Sequence, residues 1–287
     1  MKAVQRSHVH LLACCVVLIF IITSVFMQKT NTSNETTTFD TKNVNKFDWS
    51  MFGEHVYIVH ASGTNVSEAR YNSTKAQLSR LDLLNRTTFH SKPLHPKGGH
   101  FGCWKAHKEI AHNALSQGYK RIMIFEDDIV FNEAFLKDYK KYLEPAAALL
   151  STKEDWEVFY FTHNIFSMQL LNMSWAVQGV KHELIKAKSW GAVGYSIQST
   201  ALHWLAYSAY FNLPEKTVDG ILHLSRAYSM YPMPATHPDN WSRTTEVTRE
   251  IKWTHHQNLL YAAAQKCPRQ QATMQRSDFN SAECGFS

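Results

Sequence analysis

The 287-residue chain has no long basic run: 30 Lys and Arg stand against 24 Asp and Glu, for a net charge of +6. Nucleic-acid binding needs a basic stripe or patch, so it has no support here. Cysteine is scarce, with five in the chain and none in a spacing that resembles a zinc site. Cys103 and His107 would be two parts of a cysteine-nucleophile pattern, but no further part accompanies them.

Charge is missing altogether from residues 11–27. At about 17 residues this run is at the lower limit for a helix that crosses a bilayer. Lys2 and Arg6 precede it, which puts the N-terminus on the cytosolic side. A cleaved signal peptide begins the same way. The run is long for a signal h-region, however, and no Ala-x-Ala site follows, although Ile22-Thr23-Ser24 is a tolerable substitute. The expectation is therefore a cytosolic tail over 1–10 and an uncleaved transmembrane anchor over 11–27. Residues 28–50 have few apolar side chains and are rich in Thr, Asn, Ser and Lys, which predicts a flexible stem.

The remainder, 51–287, holds the globular material; the chain is 44% hydrophobic. Seven Asn-x-Ser/Thr sequons, at Asn31, Asn34, Asn65, Asn72, Asn85, Asn172 and Asn240, all follow the apolar run, as a lumenal domain would have them. Cys267 and Cys284 are candidates for a disulfide in an oxidising compartment.

The most informative stretch is 102–131. Residues 105–116 carry apolar side chains at Ile110, Ala111, Ala114 and Leu115, a helical spacing, and Gly118 ends the helix. Residues 121–125 are an unbroken apolar run, as in a strand buried on both faces. Glu126, Asp127 and Asp128 follow directly. Three adjacent carboxylates at the end of a buried strand repel one another, and a divalent cation removes that cost. Side chains alternate along extended chain, so Glu126 and Asp128 can face one side together while Asp127 points away, an oxygen pair suited to Mg²⁺ or Mn²⁺. The plain alternative is an acidic surface turn.

Gly102, Cys103, His107, Gly118 and the Phe-Glu-Asp-Asp of 125–128 together resemble glycosyltransferase family 25. Later blocks agree in order: Gly194-Tyr195-Ser196, then Val218-Asp219, and more loosely Pro234-Ala235-Thr236-His237. The resemblance covers roughly 100–245. It implies an α/β, GT-A-like nucleotide-sugar-binding domain with a central, mostly parallel sheet. It also implies a UDP-sugar donor, a galactose in the best-known members, with Mn²⁺ or Mg²⁺. On it, Glu126, Asp128 and His237 are expected metal ligands, Gly102 and His107 donor-binding residues, Asp219 the catalytic base, and Cys103 a buried packing residue. The family usually has Asn-Leu and arginines after the first strand, where this chain has Val59-His60 and a lone Arg70.

Elsewhere, 56–60 reads as the first strand and 67–84 as a helix. Residues 90–100, with two prolines and three histidines, read as a loop, and 133–150 as a helix with Phe135, Tyr139, Tyr142 and Leu143 on one face. Residues 156–161 read as a central strand and 166–190 as irregular and specificity-bearing. Residues 190–197 read as a strand and 199–211 as a helix whose Trp204, Tyr207 and Phe211 belong to the core. Asp219 is either a helix cap or a functional acid. The expected protein is a type II membrane glycosyltransferase of the Golgi or endoplasmic reticulum with a protein or glycan acceptor. The alternatives are a non-catalytic lumenal binding protein of the same fold and a metal-dependent glycosidase.

Overall fold

The computed structural model describes residues 47–63, 65–153, 155–207, 218, 222, 225–236, 253–266, 271–274 and 282–285. The expected anchor and the stem as far as residue 46, and also Phe211, Asp219, His237 and Asn240, lie outside the described residues. The last part of the expected stem, 47–50, instead belongs to the globular unit, because Phe47 and Trp49 are buried in its core. Among the described residues no helix is long and apolar enough to cross a membrane.

Phe47–Ser287 form one compact unit. Its strands are β1 (His55–Ser62), β2 (Thr87–Pro93), β3 (Arg121–Glu126), β4 (Val130–Phe131), β5 (Val158–Val177), β6 (Val180–Gln198), β7 (Ala227–Tyr231), β8 (Ala235–Thr236), β9 (Gln271–Met274) and β10 (Ala282–Gly285). The helices are α1 (Asn65–Arg80), α2 (Gly99–Ser116), α3 (Glu133–Ser151), α4 (Ser199–Tyr207) and α5 (Trp253–Lys266). Eight strands form one sheet in the order β10-β9-β5-β7-β6-β3-β1-β2, and β4 pairs with β8 separately. The architecture is α/β with a mixed sheet. Parallel pairing holds for β2-β1-β3 and β5-β7, while β6 runs antiparallel to β3, β5 and β7.

Strand alternation sorts the apolar residues onto two faces. Val56, Ile58, Met123, Phe125, Phe159 and Phe161 face one core, with Leu78 and Leu81 from the α1 side and Phe135, Tyr142 and Leu143 from α3. Tyr57, Ile122, Ile124, Val158 and Tyr160 face the other, with Ile110 and Ala114 of α2 and Leu202 and Leu205 of α4. β3 is therefore buried on both sides, as its unbroken apolar run requires. Trp49, wholly buried beside Phe52 and Tyr139, seals the first core, and its Nε1–H donates to the Leu81 carbonyl at 3.1 Å.

The helix boundary at Gly118 is a left-handed cap with φ of +81°. The Tyr119 amide donates to the Ala114 carbonyl and the Gly118 amide to the Leu115 carbonyl, both at 3.0 Å, which is a Schellman closure.

Several expectations need correction. The segment read as a loop, 90–100, opens on the last four residues of β2, a polar edge strand parallel to β1, and closes on the start of α2. α2 begins at Gly99, so Gly102 lies in its first turn instead of ahead of the helix. A Cβ on Gly102 would lie 2.9 Å from the His95 Cβ, which gives close packing as a reason for glycine there. Residues 166–190 are regular after all: they belong to the long β5–β6 hairpin, closed at Gln178 and Gly179. On α4 the core face is Ala201, Leu202, Leu205 and Ala206, whereas Trp204 and Tyr207 are 45% and 64% exposed.

Candidate functional site

The three carboxylates lie at the C-terminal ends of the parallel strands β1 and β3. Val59 pairs with Glu126, the last residue of β3, and His60 follows next to Asp127 while β1 runs on to Ser62. Open α/β sheets place their ligands in this kind of crevice.

Extended chain stops at Glu126. The Ile129 amide donates to the Glu126 carbonyl at 3.2 Å, so Asp127 and Asp128 occupy a turn. The side-to-side alternation expected for Glu126 and Asp128 therefore does not apply. Asp127, 8% exposed, accepts or shares a proton with His60 Nδ1 at 2.7 Å, and Arg70 Nη1 lies 3.6 Å from both Asp127 Oδ1 and Asp128 Oδ2.

The turn is held by one face of α1, at successive helical turns. Arg70 meets the two carboxylates. Thr74 Oγ1 donates to the Asp127 carbonyl at 3.0 Å. The Gln77 amide donates from Nε2 to the Ile129 carbonyl at 3.1 Å and accepts from the Phe131 amide at 2.7 Å, standing in for a missing strand partner.

Electrostatics at the turn are unfavourable for charge. Burial raises the Asp127 carboxyl above its ordinary value, opposed by its hydrogen bond to His60 and by Arg70. Burial, then the neighbouring Glu126 charge, push Asp128 up to about 7, with Arg70 opposing. Asp128 Oδ1 is buried with no hydrogen-bond partner. An orphaned carboxylate oxygen among like charges fits a divalent cation, which reverses this balance. Asp128 is thus a suitable ligand.

Glu126 faces another way. Its Oε1 lies 3.6 Å from Cys103 Sγ and 3.7 Å from His107 Nε2. His107 is fully buried against Tyr195, whose hydroxyl is 2.8 Å from His107 Nδ1. Of the block at 194–196, each residue has a local reason. A Cβ on Gly194 would sit 2.7 Å from Ile129 Cδ1 and 3.1 Å from Phe125 Cδ1. Tyr195 supports His107, and the Ser196 hydroxyl donates to the Phe52 carbonyl.

The segment after β7 also arrives here. β8 pairs with β4, Thr236 opposite Val130, and the Asn132 amide donates to the Pro234 carbonyl at 2.9 Å. The backbone up to Thr236 thus reaches a position two residues along from Asp128. His237 itself lies outside the described residues, as does Asp219, although the preceding Val218 is buried in the second core.

Structure therefore brings together Gly102, His107, Glu126 and Asp128 at one end of the sheet and adds His60, Arg70, Thr74, Gln77, Cys103 and Tyr195. His60 had a sequence signal, its place at the end of a strand parallel to β3. Thr74 and Gln77 had none, because their role depends on how α1 docks.

A family model described as glycosyltransferase family 25 (LPS biosynthesis protein) matches residues 72–221. The match includes Gly102, His107, Glu126, Asp128, Tyr195 and Asp219, and excludes His60, Arg70 and His237. A relative from Rattus norvegicus named "Probable inactive glycosyltransferase 25 family member 3" is 24% identical over 99 residues. Those residues are 34% of this chain and only 16% of that protein. Among solved structures, A197 from STIV covers 64% of this chain and 85% of its own at 14% identity and a TM-score of 0.39. A mannose-1-phosphate geranyltransferase from Thermus thermophilus covers 65% and 76% at 14% identity and 0.39. A glycosyltransferase involved in glycosylation of the major capsid of PBCV-1 covers 67% and 96% at 10% identity and 0.37.

Proposed function

This chain belongs to glycosyltransferase family 25, and from that premise we propose that it transfers a sugar from a nucleotide-diphosphate donor to a hydroxyl acceptor. The observation that carries the reading is Asp128: enclosed at the ends of β1 and β3, raised to about 7, with Oδ1 lacking a hydrogen-bond partner. That atom is where a hard divalent ion, Mn²⁺ or Mg²⁺, would be held, and such an ion supplies charge neutralisation to a departing diphosphate. Arg70, already beside Asp127 and Asp128, is the cation available to a donor phosphate. His60 and Thr74 fix Asp127 and so orient the turn. His237 remains the proposed additional metal ligand, and Asp219 the proposed base that accepts the acceptor hydroxyl's proton. Gly102 and His107 support the donor side by packing. UDP-galactose is the proposed donor and a protein or glycan hydroxyl the acceptor.

The proposed setting is the lumen of the Golgi or endoplasmic reticulum, with a type II anchor over 11–27. The sequons at Asn65, Asn72, Asn85 and Asn172 support it, because all four asparagines are exposed. A second reading, a lumenal binding protein without turnover, draws on the name of the rat relative.

The test follows UDP release by the purified chain across a panel of UDP-sugars, with Mn²⁺, with EDTA, and in Asp128→Asn. Release from one donor, lost with EDTA and with the substitution, is the expected outcome. A folded chain that binds a UDP-sugar but releases no UDP would establish the second reading, and one that binds none would sink the donor assignment.

A further inference from the structure

Cys103 and His107 stand at i and i+4 on α2, positions that share one helix face. That face looks onto the end of β3, where Glu126 is within reach of both. The Cys103 sulfur, a His107 ring nitrogen and a Glu126 oxygen all lie within 4.8 Å of one another. His107 is 0% exposed, yet Nε2, the nitrogen that points at Glu126, has no hydrogen-bond partner. A buried polar atom left unsatisfied is destabilising, so the arrangement calls for a ligand at that atom. The opposite nitrogen is fixed by the Tyr195 hydroxyl, with the two rings within 9° of parallel. Metal-ligating histidines are held in this way, one nitrogen anchored to an outer partner and the other presented to the ion.

We propose that Cys103, His107 and Glu126 form a binding site for a zinc-class divalent cation, distinct from the hard-cation position at Asp128. Thiolate and imidazole select Zn²⁺ over Mg²⁺ and Mn²⁺, which prefer oxygen throughout. Zn–N, Zn–O and Zn–S bonds of about 2.0–2.3 Å in a tetrahedron put neighbouring ligand atoms about 3.4–3.6 Å apart. The Glu126 oxygen is close to that spacing, at 3.6 Å from the sulfur and 3.7 Å from the nitrogen, so binding needs only a small inward movement of the three side chains. On binding, the Cys103 thiol releases its proton to solvent and the thiolate donates to the metal. Nδ1–H stays bonded to the Tyr195 oxygen, so Nε2 offers its lone pair, and Glu126 adds one carboxylate oxygen. Three protein ligands leave a coordination position open, as in zinc sites that act on a bound molecule and unlike the closed structural ones. Binding here does not depend on the transferase reading, so the two fail separately.

The experiment uses the full chain with Cys14, Cys15, Cys267 and Cys284 replaced by Ser, leaving Cys103 as its sole thiol. After chelator treatment it is titrated with Co²⁺. The expected result is a sulfur-to-metal charge-transfer band in the near ultraviolet with the amplitude of one thiolate-bound Co²⁺ per chain, whether or not a second Co²⁺ enters the oxygen position at Asp128. Equimolar Zn²⁺ should bleach that band and excess Mg²⁺ should not. His107→Gln should abolish it, Asp128→Asn should keep it, and Tyr195→Phe, a positioning change, should weaken Co²⁺ binding about 10–100-fold. A folded chain without the band overturns the proposal, as does a band lost in Asp128→Asn. Should the four-serine chain fail to fold, the natural chain and Cys103→Ala are compared by circular dichroism and Co²⁺ spectra. Loss of the band in the folded variant then supports the site, and an unchanged band refutes it.

Discussion

Gly194→Ala is the most diagnostic single change, because its cost is legible atom by atom. The added Cβ would stand 2.7 Å from Ile129 Cδ1 and 3.1 Å from both Phe125 Cδ1 and Thr162 Cγ2. All three neighbours are buried at 1% exposure or less, so no open space receives the displaced atoms. Overpacking of this kind costs about 1–3 kcal/mol. The nearest clashing atom belongs to Ile129, and valine is isoleucine without Cδ1. Ile129→Val alone should therefore cost about 0.5–1.5 kcal/mol by cavity formation. The double variant should be less destabilised than the two singles added together, with a coupling of about 1 kcal/mol or more against an additivity error of about 0.3–0.5 kcal/mol. Rescue should be partial, since Phe125 and Thr162 remain. Urea unfolding followed by tryptophan fluorescence and circular dichroism measures all four corners of the cycle. If the single costs simply add, the steric account of Gly194 is wrong. Ile129 also carries the carbonyl that Gln77 grips, so Gly194→Ala should weaken Mn²⁺ binding as well, and Ile129→Val should restore part of it.

Two further perturbations test the electrostatics. A carboxyl whose folded value is raised takes up a proton on folding, so in metal-free protein Asp128 should make stability fall as pH rises from 3.8 to about 7. Asp128→Asn should flatten that slope in urea titrations, and an unchanged slope would remove Asp128 as its source. Arg121 donates from Nη1 to the Ser50 and Met51 carbonyls and from Nε to Gln198 Oε1, while its guanidinium lies 4.8 Å over Trp156. Arg121→Met should cost at least about 1.5–3 kcal/mol in thermal or urea unfolding, the worth of a hydrogen bond from a charged donor. Lysine lacks the planar fork, so full stability in Arg121→Lys would refute this account.

Much of the fold was readable where one periodicity governs a whole element. β1, α1, β3, α3 and the start of β5 follow from alternating or helical apolar spacing, and the four residues expected on one face of α3 are all buried. β2 was not readable because it is an edge strand of Thr, His, Ser and Lys, with no buried stripe to show. The β5–β6 hairpin hid its period because the register shifts at four places, between Tyr160 and Thr162, Thr162 and Asn164, Ile165 and Ser167, and Leu170 and Met173. On α4 the aromatic spacing was real but in the wrong phase for the core. At the site, the position of the acids was legible and their orientation was not, because a turn replaces the strand after Glu126. Cys103 shows the same limit. Its partners are one helical turn away and on another strand, a combination that no linear spacing encodes.

The grip of α1 on the acid turn has a consequence for anyone who would move or redesign this site. Arg70, Thr74 and Gln77 lie more than fifty residues before the backbone and carboxylates that they hold. A graft of residues 121–131 onto another strand end would carry the three carboxylates without their arrangement. The portable unit is a helix and a turn together, and changes on the polar side of α1 offer a handle for tuning the acids without touching them.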